Sequence, residues 1–202
     1  MSNAATIHPK TGNLVTPAGI LLWNYLFNPN KKGKYEFNIG IPKDANIKVL
    51  LDAAWEEGMT TSKGNGKIAK AFKAAEKGKW PSGVKSPFKK SAEYDRLAEI
   101  AADYPVYLAG RCKDRPGVVG PNGKSDGVEP QHAFHGANCK ASLQVFAYDT
   151  DGNLGVTFGL VNVQLLGGGE EIVIGGGRVG AESEFEGVGE EASGESADKM
   201  FS

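Results

Sequence analysis

The sequence predicts a mainly β protein, a small closed or nearly closed antiparallel barrel that carries a helical insertion and ends in a flexible acidic tail. Three observations lead there. Residues 34–41 and 137–149 alternate apolar and polar side chains with a period of two, the signature of strands with one face in a core. Helical spacing is confined to one block, residues 43–101, so no strand-helix-strand repeat exists to build a parallel sheet. Beyond Gly167 the chain is rich in Gly and Glu and poor in apolar residues, which cannot build a core.

The elements follow in order. Residues 1–12 read as a flexible start to a domain over residues 13–169. Leu14, Val15 and Thr16, then residues 20–27, read as strand, with Pro17 and Gly19 marking a bend or bulge between them. After the turn Asn28-Pro29-Asn30, Tyr35, Phe37, Ile39 and Ile41 point to the core while Lys34, Glu36, Asn38 and Gly40 point outward. Pro42 ends that strand and opens the insertion. Asp44 is the predicted cap of a helix whose apolar face is Ile47, Leu50, Leu51, Ala54 and Trp55, and Gly58 is its predicted stop. A second helix is predicted over residues 66–77, with Ile68, Ala71, Phe72 and Ala75 inward and Lys70, Lys73 and Lys77 on the opposite face. Nine lysines and one acid, Glu76, fall between residues 63 and 90. A Pro/Gly/Ser-rich stretch holding Trp80 and Phe88 follows, suited either to ordering on a partner or to pinning the loop to the body. A short helix over residues 91–101 closes the block. Residues 105–113 are a strand, residues 117–136 a long polar loop turning at Pro121-Asn122-Gly123, and residues 137–149 and 154–166 a hairpin about Asp151-Gly152.

At 202 residues and 21.4 kDa the chain has room for one substantial domain. No apolar run approaches the roughly 18 residues of a membrane span, and residues 1–9 lack the features of a secretory signal, so the expected location is a cytosol. The formal net charge of -1 conceals a strong asymmetry. Residues 1–150 hold 21 basic and 14 acidic residues, net +7, whereas residues 151–202 hold 2 and 10, net -8. That is the distribution of a body that meets a polyanion and a tail that mimics one.

The candidate site follows from that charge. Binding single-stranded nucleic acid takes cations for phosphates and exposed rings for bases. Arg111, Lys113 and Arg115 repeat at a spacing of two, three cations that cannot all be buried, and Tyr107 shares their face. Phe146 and Tyr148 alternate away from the small apolar set Cys139, Ala141, Leu143, Val145 and Ala147, on the face that also carries Lys140. Phosphate contacts are therefore assigned to Arg111, Lys113, Arg115, Lys140, Lys70, Lys73 and Lys77. Base stacking is assigned to Tyr107, Phe146, Tyr148 and Trp80. Trp23, Tyr25 and Phe27 form a further row, read first as core.

Enzyme readings find less support. His132, His135, Cys139 and Cys112 have no recognised zinc spacing, the two glycine triplets lack the Gly-Lys-Ser/Thr ending of a phosphate loop, and no serine sits in a nucleophile elbow. Asp114, Asp126, Asp149 and Asp151 read as turn residues rather than as a two-metal cluster. No catalytic residue, metal or cofactor is expected. The rival readings are a structural or assembly protein with a DNA-neutralising basic loop, and a metal-dependent nuclease.

Three segments, residues 110–119, 139–148 and 155–164, resemble the single-stranded DNA-binding proteins of tailed bacteriophages, a family similar in architecture to the phage T7 helix-destabilising protein. The likeness covers about residues 10–185, and its most specific parts are Arg115-Pro116-Gly117-Val118 and Asn162-Val163-Gln164. It implies an OB-fold, a five-stranded Greek-key barrel, coating transient single strands in phage replication and recombination without catalysis, in the host cytoplasm. It also implies a partner-binding tail over residues 170–202. Here that tail carries Glu182, Glu184, Glu186, Glu190, Glu191, Glu195 and Asp198 ahead of Met200-Phe201-Ser202, with Lys199 softening the end. The expected partners are single-stranded DNA and phage replication or recombination proteins, and the reading leaves room for a homodimer.

Overall fold

The computed structural model describes residues 3–172 and 174. Its strands are β1 (Thr6–Ile7), β2 (Leu14–Val15), β3 (Gly19–Tyr25), β4 (Tyr35–Ile41), β5 (Phe88–Lys90), β6 (Val106–Cys112), β7 (Gly117–Val119), β8 (Asn138–Thr150) and β9 (Asn153–Leu165). Its α-helices are α1 (Lys48–Thr60) and α2 (Lys67–Ala74). β3 pairs with β4, β4 with β6, β6 with β9, β9 with β8, and β8 with β3, so the path of hydrogen bonds returns to the strand where it began. One of these pairings departs from the expected antiparallel plan. β6 and β9 run parallel, through Gly110 opposite Phe158 and Arg111 opposite Gly159. The long loop after β6 also yields a strand, β7, which lies parallel to β9.

Turn chemistry fixes the longest pairing. Asp151 (φ 50°) and Gly152 (φ 78°) both take the left-handed conformation. Two such residues make the turn whose twist matches a hairpin, and β8 and β9 pair from Thr150–Asn153 down to Cys139–Leu165. A register shift opposite Ser142 and Leu143 makes Val161 the extra residue of β9 and keeps Leu160 and Val163 both inward, facing the unbroken small apolar set of β8, with Cys139, Ala141, Leu143 and Ala147 buried. They meet Leu21, Phe37, Ile39, Leu108, Phe158 and Val163 in one core. At the other end of the chain, residues expected to be a loose start take part in the sheet. β1 pairs with β2, β2 pairs with β8, and the Asn3 side chain bonds both N–H and C=O of Ala18.

The outer face of β4 differs from expectation. Asn38 and Gly40 were assigned to solvent by alternation and both are buried. The cause is a second, smaller core laid on the outside of the sheet: Ile20, Leu22, Leu97 and Tyr107, with Trp23, Ile100, Tyr104, Ile172 and Ile174 packed against it. Asn38 satisfies its amide there by donating to the Trp23 carbonyl at 3.0 Å. The helix predicted over residues 91–101 is two 3-10 turns, Ser91–Glu93 and Asp95–Ile100, and Leu97 and Ile100 supply part of this cover.

The insertion is seated by aromatic rings. Trp55, Phe72, Trp80, Phe88 and Phe158 form an edge-to-face chain with successive centroids 5.1, 5.0, 6.4 and 5.6 Å apart, running from α1 to β9. Four sequence expectations fail here. Asn46, not Asp44, serves the start of α1, accepting from the Lys48 N–H at 3.0 Å. Gly58 lies inside α1, because its position faces the Phe72 ring and a methyl there would sit 2.4 Å from the ring. α2 ends at Ala74, so Lys77 lies beyond it. Leu51, assigned to the core, is exposed.

Gly58 gives a test in which two effects oppose each other. Alanine gains about 1 kcal/mol of helix propensity, whereas overpacking against a buried ring costs about 1–3 kcal/mol. The overlap with Phe72 is with rigid ring atoms, so the second effect should win. Gly58→Ala is expected to lower Tm by a few degrees in differential scanning calorimetry.

Candidate nucleic-acid interface

Where the second core ends, the outer face of the sheet lies open. Tyr25 on β3 stands opposite Glu36 on β4, Glu36 opposite Arg111 on β6, and Arg111 opposite Gly159 on β9. The row crosses four strands, roughly 15 Å at about 4.8 Å per strand. Its two ends are aromatic. Tyr25 is 45% exposed, and at the far end Phe146, also 45% exposed, lies over Gly159. A methyl on Gly159 would be 3.1 Å from the Phe146 ring, and one on Gly155 would be 2.5 Å from the Tyr148 hydroxyl. These glycines seat the two rings on the sheet.

Cations surround that row. Arg111 donates through Nε to Glu36 Oε2 at 2.8 Å. Phe146, Tyr148, Lys113, Arg111, Lys34 and Cys112 border an open hollow of about 470 Å³. Arg111 and Lys34 also border the next, of about 420 Å³, with Tyr25, Lys31 and Lys32. Tyr25 in turn borders a third, of about 380 Å³, with Trp23, Tyr94, Arg96 and His135. The three form one track with six cations, and among the described residues that line it Glu36 is the single carboxylate. Such a surface offers rings to bases and ammonium or guanidinium groups to phosphates.

Four of the sequence-assigned residues meet in the first hollow: Arg111, Lys113, Phe146 and Tyr148. The others do not. Tyr107 is on the expected face but only 6% exposed; Trp23 packs on it at 5.6 Å and Lys89 lies over its ring, so it serves the second core rather than a base. Burial, with Arg111 nearby, lowers the pKa of Lys89. Trp80 is inside the aromatic chain and donates from Nε1 to the Val84 carbonyl at 2.8 Å, the pinning role rather than a platform. Arg115 projects over Phe27 at 5.8 Å. Lys140 is six residues along β8 from Phe146, about 20 Å at roughly 3.3 Å per residue, and borders none of the three hollows. Lys70 and Lys73 are exposed on α2, and Lys77 borders an apolar groove with Leu51, Trp55 and Trp80. The tail residues Glu182, Glu184, Glu186, Glu190, Glu191, Glu195, Asp198 and Phe201 lie outside the described residues.

The structure adds Lys31, Lys32, Lys34, Tyr94 and Arg96 to this surface, together with Tyr25, which the sequence places in a row read first as core. The signal was the run Lys31-Lys32-Gly33-Lys34 beside an aromatic row, a row the structure divides. Phe27 packs on the main core, Trp23 on the second, and Tyr25 faces solvent. His132, His135, Cys112 and Cys139 are not gathered, and among the described residues no three His, Cys, Asp or Glu side chains are placed to share a metal ion. No helix among them is long and apolar enough to cross a membrane.

Known single-stranded DNA-binding proteins share the fold. A single-stranded DNA-binding protein from bacteriophage Enc34 superposes with a TM-score of 0.60 at 16% identity, covering 92% of this chain and 96% of that one. The Enc34 protein in complex with ssDNA gives 0.58 at 15% identity, covering 87% and 96%. The T7 protein gp2.5, a single-stranded DNA-binding protein, gives 0.51 at 16%, covering 75% and 90%. At these identities the likeness establishes the fold, mainly β with a helical insertion and OB-fold-like in topology. No curated protein sequence matches. A family model described as "Enterobacter phage Enc34, ssDNA-binding protein" matches residues 19–198, nearly the whole chain, and the protein therefore belongs to the Enc34 ssDNA-binding family.

Proposed function

We propose that the protein binds single-stranded DNA without regard to sequence, protecting strands and keeping them unpaired during phage DNA replication and recombination. The observation that carries this reading is the track of rings and cations from Tyr148 to Trp23, on a chain whose family is a single-stranded DNA-binding family. The ring of five strands β3, β4, β6, β9 and β8 is read as the Greek-key barrel of an OB-fold, with the track across its outer wall. Bases stack on Phe146, Tyr148 and Tyr25 while phosphates follow Lys113, Arg111, Lys34, Lys31 and Lys32. Arg115, Lys140, Lys70, Lys73 and Lys77 are the outlying cations that a longer strand would reach. Binding a strand but not its duplex subtracts free energy from the duplex, so no chemical step is needed. The acidic C-terminal segment is proposed to compete with DNA for the cationic track and to recruit replication or recombination proteins in the host cytoplasm.

Rings and cations should separate in a salt titration. Phe146→Ala or Tyr148→Ala is expected to cost about 1–3 kcal/mol of oligonucleotide affinity at every salt concentration, because stacking releases no counterions. Lys113→Ala should instead flatten the slope of log affinity against log salt by about 0.7. Fluorescence anisotropy reads both, and an unchanged affinity for Phe146→Ala would remove the stacking assignment.

Cys112 is a native reporter of occupancy. Burial and the Asp114 carboxylate raise its pKa, so less thiolate is present at a given pH than for an ordinary cysteine. Alkylation should be slow at neutral pH, accelerate above the usual thiol range, and slow further when an oligonucleotide fills the hollow that Cys112 borders. Cys139, buried in the core, should stay unreactive until the protein unfolds.

Ending the chain after Gly180 should tighten oligonucleotide binding, most at low salt where screening is weak, and weaken capture of at least one replication or recombination protein. Equal affinity across a salt series for the full and shortened proteins would remove the competition role.

A further inference from the structure

Glu36 is out of place in a track built for a polyanion. It stands at the middle of the row between Tyr25 and Arg111, its side chain only 14% exposed while that of its partner Arg111 is 64% exposed. Lys31, Lys32 and Lys34 border the same hollow. Without the carboxylate the charged groups among the described residues lining the track would all be cations and would attract any nucleic acid, paired or not.

We propose that Glu36 sets the selectivity of the track for single strands over duplex, through its negative charge at the floor. This rests on the reading of the track as the single-strand site. A duplex presents phosphates on its outside and keeps its bases paired within, so whatever part of it reaches the floor brings anionic oxygen toward the carboxylate. A flexible strand can turn the other way. Its phosphates stay with the lysines at the rim, and its bases enter between Tyr25 and Phe146, where their N–H groups can donate to a carboxylate. The floor charge thus acts against one ligand while leaving the other nearly unaffected.

The bond to Arg111 sharpens this effect. It occupies Nε and fixes the guanidinium plane, and the terminal nitrogens remain for a base edge or a phosphate in either hollow. A unit charge about 6 Å from a phosphate, in surroundings nearly as polar as water, changes affinity about threefold to tenfold.

The test separates charge from mere support. Glu36→Gln keeps the shape and an acceptor for Arg111 but removes the charge, while Glu36→Ala removes both. Affinities are measured for the full chain with an oligothymidine and with a blunt hairpin duplex of equal phosphate number, at about 0.05 to 0.3 M salt. Glu36→Gln is expected to tighten duplex binding about threefold to tenfold and single-strand binding less than about twofold, with the difference fading as screening grows. An unchanged duplex-to-single-strand ratio in folded Glu36→Gln overturns the proposal, as does a ratio that shifts in Glu36→Ala alone, since that would mark a purely supporting role. Phe146→Ala, run in parallel, distinguishes the two levels of the argument. If it weakens single-strand binding while Glu36→Gln leaves the ratio intact, only the selectivity role fails. If it leaves single-strand binding intact, the track itself is misassigned and the selectivity role falls with it.

Discussion

A sheet that curls until its strands pair in a ring has one interior but leaves every strand an outer face, and each outer face must be covered or used. This protein does both on the same wall. Toward one side Leu97, Ile100, Tyr104, Ile172 and Ile174 are laid over Ile20, Leu22 and Tyr107 as a second apolar layer. Past Trp23 that layer ends and the same strands present Tyr25, Glu36, Arg111 and Phe146. The boundary between cover and opening defines the site, and it is set by where β3, β4 and β6 run out of apolar outward residues.

The helical insertion is held to a different standard. Its rings interlock from Trp55 to Phe158, so its contribution is to stability, and Lys70 and Lys73 of α2 are exposed while Phe72 is buried in that chain. Seven lysines over residues 63–85, against one acid, keep this block from folding onto itself by charge pairing alone. The aromatic chain supplies the cohesion that the charge pattern denies, which is why Trp80 and Phe88 sit inward in a stretch whose composition resembles a loop.

Much of the fold was legible because it rests on local rules. The period of two in β4 and β8, the Asp151-Gly152 turn, the two helices and the isolation of the helical block are all read from neighbours in sequence. The parallel contact of β6 with β9 is not, since it joins residues nearly fifty apart and depends on the whole ring being closed. The site divides in the same way. Arg111, Lys113, Phe146 and Tyr148 could be placed on one surface because alternation gives the face of a strand. Tyr107 and Trp80 were misread because alternation does not say what covers a face, and Tyr25 and Lys34 were passed over because their meeting with Arg111 is a matter of register between three strands.

The glycines beneath Phe146 and Tyr148 carry a consequence for kinetics. Rings that lie on backbone already hold those contacts before any strand arrives, so less of their ordering is charged to the binding event. A platform set in advance needs no rearrangement on encounter. Arrival of a strand is then governed by diffusion and by the field of the surrounding cations, whereas departure depends on how well each base matches the rings. Strands of different composition would accordingly be captured at similar speeds and differ in how long they stay.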